Sequence, residues 1–253
     1  MWPALTAVVF PRRCLLCGAL AAYPFCRPTA PSAFYPYLCH DCAPAVAALR
    51  LPAVPADEPA LAGGVFSGFR YADGLASLIH SWKYGRRQEV TPLMRRLVDQ
   101  VCLPLATALA TVDVVAAVPL SPRDWRRRGF NQAAVIAAAV AARLDKKPAR
   151  GLLVKVRQTA RQAALSREER QRNLAAAFRV DKPALVAGKT VLVCDDVLTT
   201  GTTLGLLADL LLAAGAGEVK GFTLARTMKK GTPMSGEGRD GVSGTVAAGT
   251  AVR

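Results

Sequence analysis

Apolar residues along the chain follow two alternating rhythms, short continuous runs and runs spaced three and four apart. Residues 65–71 are rich in β-branched and aromatic side chains and predict a strand. Leu75, Leu78, Ile79 and Trp82 then repeat at helical spacing behind Asp73, a candidate N-cap. A second helix is predicted over 89–110. Residues 112–118 form a continuous apolar run ending at Pro119, the pattern of a strand buried on both faces. A polar, Arg-rich turn follows, and after it a helix over 131–143. Residues 152–156 and 176–180 read as short strands. Residues 190–194 are a second β-branched run, leading through a Gly/Thr loop into a helix over 203–214, and residues 219–225 close the pattern as a last strand. Such alternation, with fully apolar strands, predicts an α/β fold built on a doubly wound parallel sheet. Ligands of such sheets sit at the carboxyl ends of the strands.

The first 50 residues do not share this rhythm. Five of the seven cysteines lie there, as Cys14-Leu-Leu-Cys17 and Cys39-His-Asp-Cys42 with 21 residues between, plus Cys26. Two C-x-x-C knuckles at that separation suit a tetrahedral Cys₄ zinc site, each knuckle supplying two thiolates from a tight turn. Gly18 can take the positive φ such a turn often needs. The segment has few large aliphatic residues, so metal would supply much of its folding energy. Four sulfur ligands leave no position for substrate, which makes Zn²⁺ structural. Unpaired thiols or a redox pair are the alternative reading. Cys26 is spare or a substitute ligand, His40 reads as a solvated turn residue, and Cys102 and Cys194 read as small core residues. Pro52, Pro55 and Pro59 mark a linker. The expected organisation is a zinc-ribbon module at 1–50, a Pro-rich linker at 51–62, the main domain at 63–227 and a disordered tail at 228–253.

Composition narrows the partners. The chain has 253 residues, 52% of them hydrophobic, which excludes a wholly disordered protein. No apolar run reaches the roughly 18 residues of a membrane span, and the first ten residues are too short for a signal sequence, so a cytoplasmic protein is expected. A net charge of +15 points to an anionic partner, with a GC-rich coding bias as the bland alternative. The charge is uneven, however. Residues 121–179 hold 15 Lys and Arg against 4 Asp and Glu.

The strongest chemical signal follows the 190–194 run, where Asp195 and Asp196 precede Thr199, Thr200, Gly201, Thr202 and Thr203. A buried strand thus delivers two carboxylates to its end, then a small-residue turn opens a helix. Backbone N–H groups and hydroxyls at that helix start can cradle a phosphate monoester. Gly201 allows close approach, and paired carboxylates suit vicinal hydroxyls. Phosphate at one end and a diol at the other describe a ribose 5-phosphate moiety.

This stretch closely resembles the phosphoribosyl pyrophosphate (PRPP) signature of type I phosphoribosyltransferases. Further matches precede it in order: the Cys₄ knuckles, Lys83-Tyr-Gly, Val118-Pro-Leu-Ser, Arg128-Gly-Phe-Asn-Gln132 and Thr159…Gln162…Leu165…Arg170…Asn173. Together they resemble the ComF family, which is linked to bacterial competence and DNA uptake, over roughly residues 1–228. The resemblance implies a fold of the type I phosphoribosyltransferase kind. Asp195 and Asp196 would contact the ribose hydroxyls, and Thr199 to Thr203 the 5-phosphate. Pro119, Leu120 and Ser121 would form the pyrophosphate loop, residues 157–173 the hood. As an enzyme the protein would move ribose 5-phosphate from PRPP to an unidentified acceptor, with Mg²⁺ on the pyrophosphate. Arg157 and Arg161 are candidate catalytic charges over the leaving group, Lys83 a further one at the domain edge; solvated surface charge is the alternative for each. Arg126, Arg127 and Arg128, flanked by Trp125 and Phe130, form the tightest basic cluster and suit single-stranded nucleic acid. Alternatively the two aromatics anchor the loop and the arginines face solvent. The second class of function is a non-catalytic DNA-uptake factor of the competence machinery, with the pocket sensing a nucleotide.

Overall fold

A computed structural model describes residues 13–20, 34, 36–58, 61–85, 87–156 and 177–228. The 65–71 run lies within β2 (Leu61–Arg70), and the 219–225 run within β7 (Glu218–Arg226). These two strands, early and late in the chain, pair in parallel with Val65 opposite Gly221. The sheet order is β1-β2-β7-β6-β3, where β1 is Ala56–Glu58, β3 Val114–Ala117 and β6 Thr190–Leu198. Only β1, at one edge, is antiparallel to its neighbour. A separate antiparallel pair, β4 (Leu153–Lys155) with β5 (Phe178–Val180), carries the stem of the segment expected as the hood.

Helices α2 (Asp73–Tyr84), α3 (Thr91–Cys102), α5 (Gln132–Arg143) and α6 (Thr202–Ala213) cover the sheet. Burial follows the spacing read from the sequence, with Leu75, Leu78, Ile79 and Trp82 of α2 at most 1% exposed. Fully burying such a side chain is worth about 1.5–3 kcal/mol.

Four local expectations are corrected. The helix expected to run to 110 ends at Cys102, because Pro104 has no N–H to continue the hydrogen-bond ladder beyond the C-cap Leu103. Asp73 does not cap α2: it is the first helical residue, at φ 47°, behind Ala72, and its side chain makes no capping bond. β6 continues four residues beyond the apolar run, since Asp195 pairs with Thr223 and Leu198 with Arg226 in the ladder. The Arg-rich turn is a short helix, α4 (Pro122–Arg128). Ser121 Oγ accepts from the Asp124 N–H and donates to the Asp124 carboxylate, Pro122 starts the first turn, and Gly129 ends the helix at φ 79°.

The cysteine segment is not a detached bead. Cys14, Phe34, Leu38, Cys39, Ala43 and Val46 share one core with the α2 side chains, the last two from α1 (Cys42–Ala47). The start of the expected linker is tied to the sheet, where Leu51 N–H donates to Gly68 O at 2.9 Å and Arg70 N–H to Leu49 O at 2.7 Å. No helix among the described residues is long and apolar enough to cross a membrane.

Candidate functional site

The sheet register sets the site. Ala117 of β3 lies opposite Cys194 of β6, and the Val118 N–H donates to Cys194 O at 2.9 Å. Residues 118–121 therefore leave the sheet beside Asp195 and Asp196, at the carboxyl ends of two adjacent parallel strands. Asp196 is only 6% exposed, and Lys83 Nζ, on the last turn of α2, reaches its Oδ1 at 2.7 Å. Asp195 Oδ1 accepts from the Asp196 N–H at 2.8 Å. Burial, and then the neighbouring Asp196 charge, push the Asp195 carboxyl up to about 7; the Asp196 N–H, Lys83 and Arg128 oppose this. Near neutral pH Asp195 is thus partly protonated. Removing Lys83 would leave Asp196 buried without a counter-charge, a change that costs about 3–5 kcal/mol in buried pairs.

Beyond β6 the chain turns through Thr199 and Thr200, both exposed, to Gly201 at φ 72°. That left-handed backbone, open to glycine, swings the first N–H groups of α6 outward. Thr200 Oγ1 and Thr202 Oγ1 share a hydrogen bond of 3.0 Å. Thr227 closes the turn from beside it, its N–H on Leu198 O at 2.9 Å. Free N–H groups, hydroxyls and a helix dipole thus meet within one turn of the two carboxylates.

The basic cluster on α4 divides into three environments. Arg126 is exposed beside Trp125, which is itself 52% exposed. Arg127 pairs with Asp124 at 2.9 Å and lies over the Tyr84 ring. Arg128 turns inward, with Nη1 on Gln132 Oε1 at 3.3 Å and its guanidinium 5.1 Å from the Tyr84 centroid. Its Nε is buried without a partner, as is Asn131 Oδ1. Phe130 packs on Trp82 with centroids 5.6 Å apart. One flanking aromatic therefore anchors the loop and the other faces solvent.

The Sγ atoms of Cys14, Cys17, Cys39 and Cys42 all lie within 4.8 Å of one another, with Cys17 and Cys39 3.7 Å apart. Zinc–sulfur bonds of about 2.3 Å in a tetrahedron require separations of about 3.8 Å, so the four residues fit the ion. Burial raises the Cys14 thiol, but the N–H groups of Cys17, Cys39 and Leu16 outweigh it and bring Cys14 down to about 6, ready to bind as thiolate.

Comparison of the sequence with known proteins gives its family. The family profile described as phosphoribosyl transferase domain matches residues 131–239. DNA utilization protein YhgH of Escherichia coli is 37% identical over 160 residues, 62% of this chain and 70% of its own. Competence protein F of Haemophilus influenzae is 31% identical over 161 residues, 62% of this chain and 69% of its own. The chain belongs to the ComF family. Adenine phosphoribosyltransferase from Saccharomyces cerevisiae superposes at a TM-score of 0.35 with 17% identity, over 54% of this chain and 69% of that one.

In this ComF family member the fold brings Lys83, Asp195, Asp196 and the loops at 118–121 and 199–203 to one place. Lys83, a candidate charge at the domain edge, lies against Asp196. Of the pyrophosphate-loop residues, Ser121 is 1% exposed and spent on the α4 cap, while Pro119 and Leu120 border a cleft of about 820 Å³. Neither aspartate lines that cleft, which includes Arg95, Trp125, Arg126, Arg150 and Lys155. Arg95, Arg150 and Lys155 carry no sequence signal, being single cations on different elements. Arg157, Arg161, Cys26 and residues 229–253 lie outside the described residues.

Proposed function

We propose that this protein binds PRPP, or a closely related ribose phosphate, and transfers ribose 5-phosphate to an acceptor. The observation that carries the reading is the juxtaposition of a half-buried carboxylate, Asp195, and a buried one, Asp196, with a helix-start phosphate cradle at the end of β6. Asp195 and Asp196 would accept from the ribose hydroxyls. The N–H groups after Gly201 and the Thr199, Thr200, Thr202 and Thr203 hydroxyls would hold the 5-phosphate. Backbone at Pro119, Leu120 and Ser121 would line the pyrophosphate. In the reaction the bond from C1 to the pyrophosphate oxygen breaks, positive charge develops on the ring, and the acceptor's lone pair takes C1. Electrostatic stabilisation of the leaving polyanion dominates such a step. Mg²⁺, when bound with the pyrophosphate, would supply part of that charge. Arg157 and Arg161 are the proposed hood charges that complete it, with water excluded by closure.

Calorimetry with PRPP and Mg²⁺ tests the reading. Wild type should give a saturable signal, and Asp195→Asn with Asp196→Asn should abolish it. Wild-type protein that gives none removes the pocket assignment.

A second reading concerns nucleic acid. Trp125 beside Arg126, on a cleft with three further cations, suits a single strand held by stacking and phosphate contacts. Relatives named for DNA utilization and competence support it. In this reading the protein is a cytoplasmic DNA-uptake factor whose pocket senses a nucleotide.

A further inference from the structure

Each carboxylate of the aspartate pair has one oxygen already engaged by the protein. Lys83 Nζ holds Asp196 Oδ1 at 2.7 Å, and the Asp196 N–H holds Asp195 Oδ1 at 2.8 Å. Among the described residues, neither second oxygen has a hydrogen-bond partner. One acceptor therefore remains on each carboxylate for a diol that would need two.

The lysine is fixed rather than wandering. Its side chain is 17% exposed, far from the behaviour of a solvated surface charge. The last turn of α2 that carries it is clamped on several sides. Gln132, fully buried, donates through Nε2 to Trp82 O at 3.3 Å. Trp82 Nε1 donates to Thr91 Oγ1 at 2.9 Å. Tyr84, the next residue, lies under the guanidinium groups of Arg127 and Arg128. Gln132 thereby ties the inward Arg128, through its own amide, to the backbone just before Lys83.

Two neighbouring carboxylates, one buried and one half-buried, are eased by a proton or a cation between them. Protein sites for anionic sugars commonly recruit a divalent metal for this purpose, because a hard cation compensates carboxylate oxygen. Here an ammonium occupies that role within the chain, and the charge of Lys83 acts on Asp195 as well as on Asp196.

We propose that Lys83 is a built-in counter-cation of the diol site, a positioning residue that balances the charge of Asp196 and holds it in place so that a ribose 5-phosphate binds without a divalent metal. The inference rests on the ribose-phosphate reading above. Metal is then required by the pyrophosphate of a larger ligand, not by the diol. Without Lys83 the carboxylates must borrow a cation from solution.

The test is calorimetry of the full zinc-loaded chain with ribose 5-phosphate, with and without added Mg²⁺ and with no chelator. For wild type the Kd should change by less than about threefold between the two conditions, whereas Lys83→Met should bind at least about tenfold more weakly without Mg²⁺ than with it. Lys83→Arg should follow wild type. Lys83→Gln, which keeps a donor for Asp196 but no charge, should behave as Lys83→Met and serves if the methionine variant does not fold. A purely structural role would weaken binding equally in both conditions. Wild type that binds only with Mg²⁺, or uncharged variants that keep the wild-type ratio, overturns the inference and leaves the ribose-phosphate reading standing. Wild type that binds neither ribose 5-phosphate nor Mg²⁺-PRPP overturns both.

Discussion

Asp195 shows how much chemistry one buried carboxyl can hold. Burial and Asp196 lift it to about 7 in the folded chain, against an ordinary carboxylate value when unfolded. Between about pH 4 and 7 the folded state therefore holds a proton that the unfolded state has lost, and stability falls as pH rises through that window. Above about 7 the full cost of the buried charge is present. Asp195→Asn keeps an oxygen for the Asp196 N–H and removes the charge. It should raise stability at pH 8 by on the order of 2 kcal/mol and leave it nearly unchanged at pH 4. Urea titrations at both pH values check this; an equal effect at the two would refute the assignment. The aspartate pair was legible in the sequence because two carboxylates after an apolar run have no packing purpose. Lys83, more than 110 residues earlier, was singled out by the Lys83-Tyr-Gly resemblance, but nothing in the sequence paired it with Asp196.

Among the elements, α4 changes the meaning of the basic cluster most. Its signals were present in Ser121-Pro122-Arg-Asp124 and in Gly129, a cap, a helix start and a stop. Seven residues are too few for hydrophobic periodicity to reveal, so the stretch reads as a turn. As a helix it separates three adjacent arginines, leaving Arg126 and Trp125 to solvent and drawing Arg128 to Gln132. Trp125→Ala with Arg126→Ala should weaken single-stranded DNA binding and reduce the slope of log affinity against log salt by about 0.7, one phosphate contact on a single strand. Band shifts at a series of salt concentrations measure it. Unchanged affinity and slope would remove α4 from any nucleic-acid surface.

At the scale of the molecule, the cysteine segment and the main domain share a core. Leu15 and Leu16, inside the first knuckle, pack against it, and Arg87 donates to Leu15 O at 3.1 Å just beyond α2. We propose that the expected module at 1–50 and the domain at 63–227 melt as one unit. Zinc content should be near one ion per chain, and chelation should lower the single melting transition of the whole protein. Two separated transitions in calorimetry, with only the smaller one sensitive to chelator, would show independent folding. The charge also takes a position at this scale. Arg126, Arg150 and Lys155, all from the basic span 121–179, converge with Arg95 on one cleft beside the pyrophosphate loop.

The sequence by itself determined the alternating fold, the four clustered cysteines and the loop of paired aspartates, threonines and Gly201. Each of these is written in local spacing: apolar period, knuckle spacing, and a strand end running into a helix start. Tertiary structure decided which distant groups meet them. Parallel pairing of β3 with β6 sets the pyrophosphate loop beside Asp195, and packing of α2 delivers Lys83 to Asp196. It also gathers single cations from separate elements into one cleft. Such encounters depend on strand order and helix packing, which join residues with no fixed separation along the chain. Local pattern and resemblance could therefore name the acids and Lys83 separately but not the contact between them.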